Sequence, residues 1–276
     1  MKENYLKFWK SVGIVLLTTV IVGIMPRVGQ AQGNTNLFAV VEFMKVEPGQ
    51  EGNYLELEQK IWKPIHQERV NQGKLFGWIL YQVMYTGTDD AYNYATVNVY
   101  ANSANFENPY DGIDFAKVHP GKDMGEEFTK TINTRKLVKS QLISRVTYAN
   151  PGGGENTAPH KYIVVNFMKS KPGGNLVQLE TEMAKPTSEE LIKSGTWAGW
   201  SLWSNVFPRG AGMESDFVTV DNYPDFSKLG SANYMQAFTK ANPGKDWAEF
   251  ANKAANARVM VRSELWKLVD AVFAGQ

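Results

Sequence analysis

Two segments of this chain, about 124 residues apart, have nearly the same sequence. Residues 38–49 read FAVVEFMKVEPG and residues 162–173 read YIVVNFMKSKPG, with seven of the twelve positions identical. Further matches follow in the same order, among them Gly-x-x-x-Gly-Trp at residues 73–78 and 195–200. A repeat of this length indicates a duplicated domain. We therefore predict two homologous halves, each with its own copy of one fold.

Segments of different composition precede and separate the halves. The N-terminus has basic residues, then an apolar run of about 14 residues and a stretch of small residues, which is typical of a secretory signal peptide. The apolar run is shorter than the roughly 20 residues that span a bilayer. Between the halves lie three consecutive glycines and two prolines, which indicate a linker. The predicted organisation is a signal peptide at 1–31, a first repeat at 32–148, a linker at 149–160 and a second repeat at 161–276.

The signal peptide predicts a periplasmic or secreted protein that is not membrane-bound after cleavage. The chain has no cysteine, which excludes disulfides and a lipid-modified N-terminal cysteine. Removing residues 1–31 takes away four basic residues and one acidic residue, so the net charge changes from +1 to about −2. A protein without a basic surplus is not expected to bind nucleic acid.

Each half predicts the element order β-α-β-β-α-β, which is ferredoxin-like. In the first half the predicted elements are a strand at 38–46, a helix at 50–72, strands at 78–85 and 94–100, a helix from 123 to about 136 and a strand at 141–147. Pro64 should kink or split the first helix, because proline lacks a backbone donor. Asp123 and its counterpart Asp246 each have a Glu three residues later, which predicts a helix N-cap.

A four-stranded sheet with helices on one face leaves its other face exposed. Two copies in one chain cover these faces by packing sheet against sheet. We therefore predict an α+β fold in which two tandem ferredoxin-like units form a pseudo-dimeric, eight-stranded α/β barrel. Such a chain needs no second copy to cover its sheets, so a monomer is predicted.

The repeat resembles the dimeric α/β-barrel superfamily in its duplicated, single-chain form. The similarity includes the Phe-Met-Lys-x-x-Pro-Gly strand end at 43–49, the Lys63-Pro64 pair and the Gly-x-x-x-Gly-Trp segment, and it extends over essentially the whole mature chain. This superfamily contains antibiotic-biosynthesis-type (ABM) monooxygenases, NIPSNAP-like proteins, chlorite dismutase-like haem proteins and exported members without an assigned activity. The chain looks most like that last, exported group, of ABM/NIPSNAP-like type. The resemblance implies the fold, with a haem-dependent or cofactor-free oxidoreductase as one candidate activity.

Alternation along the strands sorts side chains into two faces. We interpret the face that bears mid-strand polar groups as the inside of the barrel. The residues expected there are Glu42, Tyr81, Asn98, Tyr100, Asn166, Trp203, Asp221 and Tyr223. Aromatic walls with a few polar groups are typical of a small-molecule pocket. Glu42 and Asp221 are candidate general bases, because burial raises the pKa of a carboxyl group, and the other six are candidate ligand contacts.

Cofactor-free monooxygenases of the superfamily combine an Asn on the first strand, a Trp and a His or Tyr in one cavity. The resemblance therefore implies that Asn166 and Trp203 match part of this set. The alternative is a polar network whose members satisfy one another and fix the register of the sheet.

The three histidines show no metal-binding spacing, so no dedicated metal site is predicted. A haem iron needs only one axial His, so the sequence leaves haem open as a cofactor, with His119 as the candidate ligand. The alternative for His119 is a loop residue beside a helix cap.

Three functions remain open at this stage. The preferred one is an exported barrel that binds a small apolar or aromatic ligand. The second is the oxidoreductase, and the third is a structural or interaction protein with a solidly packed barrel.

Overall fold

The computed structural model describes residues 37–153 and 159–274. The predicted signal peptide and the middle of the predicted linker lie outside these ranges and stay predictions. The first half contains β1 (Phe38–Val46), α1 (Glu51–Leu57), α2 (Lys63–Asn71), β2 (Gly77–Val83), β3 (Tyr94–Tyr100), α3 (Phe115–Val118), α4 (Met124–Thr134) and β4 (Arg135–Ala149). The second half contains β5 (Tyr162–Ser170), α5 (Leu176–Leu179), α6 (Lys185–Lys193), β6 (Gly199–Phe207), β7 (Phe217–Tyr223), α7 (Tyr234–Ala241), α8 (Trp247–Ala257) and β8 (Arg258–Phe273). No helix in the described ranges is long and apolar enough to cross a membrane.

The eight strands form one closed barrel in the order β1-β3-β2-β8-β5-β7-β6-β4, and all neighbours are antiparallel. Each half contributes four adjacent strands in the ferredoxin-like order, and the halves join at β2–β8 and β4–β6. The order repeats after four strands, so half a turn around the barrel axis relates the halves. The predicted pseudo-dimeric barrel is confirmed.

Strand β4 is about twice as long as predicted, because the predicted start at residue 141 is wrong, and its counterpart β8 is similarly long. Residues 135–144 of β4 pair with β1, and residues 142–149 pair with β6 of the other half. In the same way β8 pairs first with β5 and then with β2. Each long strand therefore serves both halves, and the pattern of a single repeat does not reveal the second partner.

The helix interruption expected at Pro64 is a π turn, Glu58–Trp62, between α1 and α2. The Lys63 N–H donates to the Glu58 carbonyl, and Pro64 falls in the first turn of α2. A first-turn position is where proline's missing N–H costs least. The second half repeats the arrangement with a π turn at Glu180–Ala184.

The predicted helix caps are present in both halves. Asp123 accepts hydrogen bonds from the backbone N–H groups of Gly125 and Glu126, and Asp246 accepts one from Glu249. These caps start α4 and α8, which lead directly into the long strands β4 and β8.

Each strand separates two buried layers. Val41, Phe43, Val165 and Phe167 belong to the core inside the barrel. Residues of opposite parity, such as Met44 and its counterpart Met168, pack on the outer face under the helices. The barrel interior is therefore lined by the most continuously apolar face of the strands.

Candidate functional site

The barrel encloses a cavity of about 180 Å³. Residues of all eight strands line it, including Phe43, Ile79, Tyr81, Val97, Gln141, Ile143, Val165, Phe167, Trp203, Val218 and Trp266. An apolar protein cavity of about 150 Å³ is large enough for benzene. The interior is thus hollow, and its size suits one small ring.

Tyr81 and Trp203 point into the cavity, as the sequence predicted. They occupy equivalent positions on β2 and β6. The Trp203 indole N–H donates to Ser201 Oγ at 2.8 Å. The hydroxyl of Tyr81 has no hydrogen-bond partner among the described residues, although this residue is only 4% exposed. Burial raises the pKa of Tyr81, so its hydroxyl stays protonated.

Gln141 is a second buried polar side chain of the cavity wall. It is 4% exposed, and its amide likewise has no hydrogen-bond partner within residues 37–153 and 159–274. Gln141 lies on β4 opposite Val41, so both partners face the interior. The cavity therefore contains two polar groups whose hydrogen bonds the described protein does not supply.

The inner-face position predicted for Glu42, Asn98 and Tyr100 is wrong. These side chains lie on the outer face, between the sheet and the helices of the first half. Glu42 accepts a hydrogen bond from Thr96. The guanidinium of Arg69 donates to Asn98 Oδ1 at 3.1 Å and to Tyr100 Oη at 2.8 Å. Helix α2 brings Arg69 to this face, so the polar partners come from the helix layer and not from a ligand.

The same correction applies to Asn166, Asp221 and Tyr223 in the second half. Asn166 donates to Asp221 Oδ2 at 2.9 Å and accepts from the Ser263 hydroxyl at 2.6 Å. Burial raises the pKa of Asp221 to about 7, and the hydrogen bond from Asn166 opposes this shift. Tyr223 packs with Trp197 on this outer face.

Two consequences follow for the predicted chemistry. Neither candidate base, Glu42 or Asp221, reaches the cavity. Asn166 and Trp203 lie on opposite faces of the sheet, so the pairing that the superfamily resemblance implied is not assembled. The self-satisfied polar network is the arrangement that these residues form.

His119 does not fit a haem ligand. It is 7% exposed, and its Nε2–H donates to the Ile61 carbonyl in the π turn at 2.8 Å. Its counterpart, Asn242, donates to the equivalent π-turn carbonyl of Met183 at 3.5 Å. Each side chain thus donates a hydrogen bond to the equivalent π-turn carbonyl of its own half. This is a structural role.

The other two histidines do not fit a haem site either. His66 is buried, stacked on Trp78 and in contact with Arg69. His160 lines the cavity, but about 180 Å³ is below the roughly 300 Å³ at which pockets for drug-sized molecules begin, and haem is larger than these. In addition, no cluster of acidic and histidine side chains in the described part of the chain could hold a metal ion.

One end of the cavity is polar, and the sequence reasoning missed it. Arg145, Tyr148, Asn150 and His160 line this end, where β4 finishes and the chain approaches β5. The Arg145 guanidinium lies 4.2 Å from the centre of the Tyr148 ring. Burial lowers the pKa of His160, so its imidazole is neutral at pH 7. The available signal was the position of these residues at the end of the last predicted strand of the first half and in the linker, close to where the halves join.

The opposite end of the barrel carries a charged cluster, which we define as Tyr92, Lys139, Glu214, Arg262 and Glu264. Glu264 accepts hydrogen bonds from the Tyr92 hydroxyl at 2.6 Å and from the Trp266 indole at 2.9 Å. Arg262 donates to Glu264 and to Tyr92. The acidic and basic groups of this end are thus paired with one another beyond the aromatic cavity.

Scans against protein-family models and against curated proteins found no match. Among solved structures, the chain is similar to an anthrone oxidase-like protein, with a TM-score of 0.51 and 14% identity over 88% of this chain and 95% of that chain. It is also similar to a candidate monooxygenase from Fusobacterium nucleatum, with a TM-score of 0.52 and 12% identity over 87% of this chain and 95% of that chain. At these identities the likeness shows the fold and not the activity. The chain has the dimeric α/β-barrel fold, with both halves in one polypeptide.

Proposed function

We propose that this protein binds a small neutral aromatic molecule with a hydroxyl or carbonyl group inside its barrel. The observation that carries the proposal is the pairing of aromatic walls with two polar side chains of the cavity wall, Gln141 and Tyr81, to which the described residues donate or accept no hydrogen bond. Ligand pockets combine apolar walls with a few placed polar groups in this way.

The positions of the charges favour a neutral ligand. Arg145 and His160 lie at the polar end of the cavity, and the charged cluster lies at the other end. Between them lie the amide of Gln141 and the protonated hydroxyl of Tyr81. Each of these can donate and accept a hydrogen bond. A phenol or a cyclic enone would meet both requirements of the site, burial of a flat ring and one or two hydrogen bonds.

Calorimetric titration with phenol and benzene tests the proposal, because the two rings differ by one hydroxyl. We expect phenol to bind about tenfold more tightly, which corresponds to one hydrogen bond to a buried partner. Gln141→Leu and Tyr81→Phe should each reduce this preference. The matched control is Glu42→Gln, whose side chain lies on the outer face. Equal affinities for the two rings, or a preference that survives both cavity variants, would contradict the proposal and favour ordered water as the partner.

A second candidate function is a cofactor-free oxidation of the bound ring, and the neutral imidazole of His160 in the cavity wall supports it. In such a reaction His160 would take a proton from an activated CH₂ group of the substrate. Dioxygen would then convert CH₂ to C=O with release of one water, which balances without a further reductant. The names of the two fold neighbours suggest this class of reaction for those proteins. Oxygen consumption with phenylacetone, a single-ring compound with an activated CH₂ group, tests this reaction, and the consumption should be lost in His160→Gln. No consumption above the uncatalysed rate would leave binding alone.

The proposal has three further parts. The protein is exported, it is a monomer, and within the superfamily it is most similar to exported ABM/NIPSNAP-like proteins. Both seams of the barrel, β2–β8 and β4–β6, are formed within one chain, which supports a monomer. Light scattering after gel filtration should give the mass of one mature chain. N-terminal sequencing of the secreted protein should begin at residue 32.

A further inference from the structure

Lys139 is an inward-facing amine surrounded by aromatic rings. It lies on β4 directly opposite Phe43 of β1. Its Nζ is 4.4 Å from the centre of the Phe43 ring, 5.3 Å from that of Tyr92 and 5.8 Å from that of Phe167. The side chain is 27% exposed, so a small reagent can reach it.

A second cation shares this site. Arg262 is the counterpart of Lys139 in the second half and lies directly opposite Phe167 on the neighbouring strand. Its guanidinium is 3.9 Å from the centre of the Phe167 ring, the same ring that Lys139 approaches. The half-turn relationship between the halves thus brings two basic side chains to one end of the barrel.

The carboxylates of the site do not balance the two cations equally. Arg262 forms ion pairs with both Glu214 and Glu264. Among the carboxylates that the structure describes, Lys139 contacts the second oxygen of Glu214, at 3.4 Å, which is longer than the 2.6 Å between Arg262 and Glu264. Arg262 therefore takes most of the available negative charge, and Lys139 is left in an aromatic environment beside a positive neighbour.

We propose that Lys139 is a nucleophilic amine that forms an imine with a small aromatic aldehyde. Partial desolvation and a nearby cation are the two conditions that activate a lysine for this chemistry. The neutral amine attacks the carbonyl carbon, and the carbinolamine loses one water to give the C=N bond. No oxidant or reductant is needed. The rings of Phe43, Tyr92 and Phe167 offer an apolar surface to the ring of the aldehyde.

The ionisation of the site supports this reactivity. Burial, together with the charge of Arg262, lowers the pKa of Lys139 to about 8, while Glu264 opposes the shift. An ordinary lysine has a pKa near 10.4 and is almost fully protonated at pH 8. A larger fraction of Lys139 is thus present as the free amine.

Benzaldehyde with cyanoborohydride at pH 8 tests the proposal, because reduction converts the imine into a stable benzylamine. Peptide mapping of the full chain at short times should find the benzyl group on Lys139 at least about tenfold faster than on any other lysine. The matched control is Lys45, whose Nζ donates to the backbone carbonyls of Thr88 and Asp90. Lys139→Arg should abolish the fast labelling of the protein, and Lys45→Arg should leave the rate of that labelling unchanged.

The pH dependence of labelling in Arg262→Gln gives a second test, which remains valid if the Lys139→Arg variant does not fold. In Arg262→Gln the neighbouring positive charge is gone, so the pH at which labelling of Lys139 is half-maximal should rise above that of the wild type. Uniform labelling of the surface lysines, or an unchanged pH profile in Arg262→Gln, would overturn the proposal. These results are independent of phenol binding, so failure here and failure of the proposed cavity ligand are distinguishable.

Discussion

Asn166 donates a hydrogen bond to Asp221 across neighbouring strands, with Nδ2 and Oδ2 2.9 Å apart. The pair lies on the helix-covered face of the second half, where Asp221 is 6% exposed. A buried carboxyl with a single amide donor is held mainly in its neutral form, and burial raises its pKa to about 7. This relationship makes the stability of the fold depend on pH.

The free energy of unfolding should fall as the pH rises from about 4 to about 7. Within this window the folded state binds the Asp221 proton more tightly than the unfolded state, so raising the pH favours unfolding. Asp221→Asn keeps the shape and removes the titration. We expect the variant to be more stable than the wild type at pH 8 by about 4 kcal/mol, and the difference to vanish near pH 4. Urea unfolding at the two pH values measures this.

Glu58 should also make the free energy of unfolding fall as the pH rises, because burial raises the pKa of its carboxyl group to about 7. The charge of Arg135 opposes this shift. The comparison of wild type with Asp221→Asn isolates one group. A stability difference that does not change between pH 4 and pH 8 would contradict the assignment of Asp221 as a buried neutral acid.

His119→Ala should destabilise the protein without affecting the cavity. The variant loses the donor to the Ile61 carbonyl and leaves that buried acceptor unpaired, which costs about 1–3 kcal/mol. Asn242→Ala should also destabilise the protein, because its amide donates to the Met183 and Phe238 carbonyls and to the Thr187 hydroxyl. Phenol affinity should stay at the wild-type value in both variants. Haem added to wild type and to His119→Ala should give identical absorption spectra, and a Soret shift lost only in the variant would contradict the structural role.

Gly77→Ala should disturb the end of the barrel. A Cβ at this position would lie within 3.0 Å of three ring carbons of Phe273, which lines the cavity. We expect a loss of about 1–3 kcal/mol in the free energy of unfolding, together with weaker phenol binding. The control is Gly52→Ala in α1, where a Cβ meets nothing within 4 Å, and it should stabilise the helix by about 0.5–1 kcal/mol. Equal effects of the two substitutions would argue against close packing at Gly77.

The repeat was sufficient to predict the barrel, because two sheets with bare faces have one simple way to cover each other. Pro64 and Asp123 were also interpreted correctly, since a missing donor and a capping carboxylate act locally. The lengths of β4 and β8 depend on pairing with the other half, which local patterns do not contain.

The main error of the sequence-based prediction concerned which face of each strand turns toward the barrel interior. Alternation separates Glu42 from Phe43 but does not say which of them faces the barrel. The polar face became the outer one because the helices supply partners such as Arg69, and the barrel interior received the most apolar side chains. Arg69, which lies within the helix predicted at 50–72, was the signal that this helix supplies polar partners to the sheet. Gln141 was missed because it was the first residue of the predicted strand 141–147, whereas it lies in the middle of β4, which begins at Arg135.

A crystal soaked in 4-bromophenol tests the central claim most directly, because bromine is located by its anomalous scattering. We predict one bromine site inside the barrel, with the phenol hydroxyl within hydrogen-bonding distance of Gln141 or Tyr81 and the ring beside Trp203. Bromine on the helix-covered face near Asn166 and Asp221, or an empty barrel at a saturating concentration, would contradict the account.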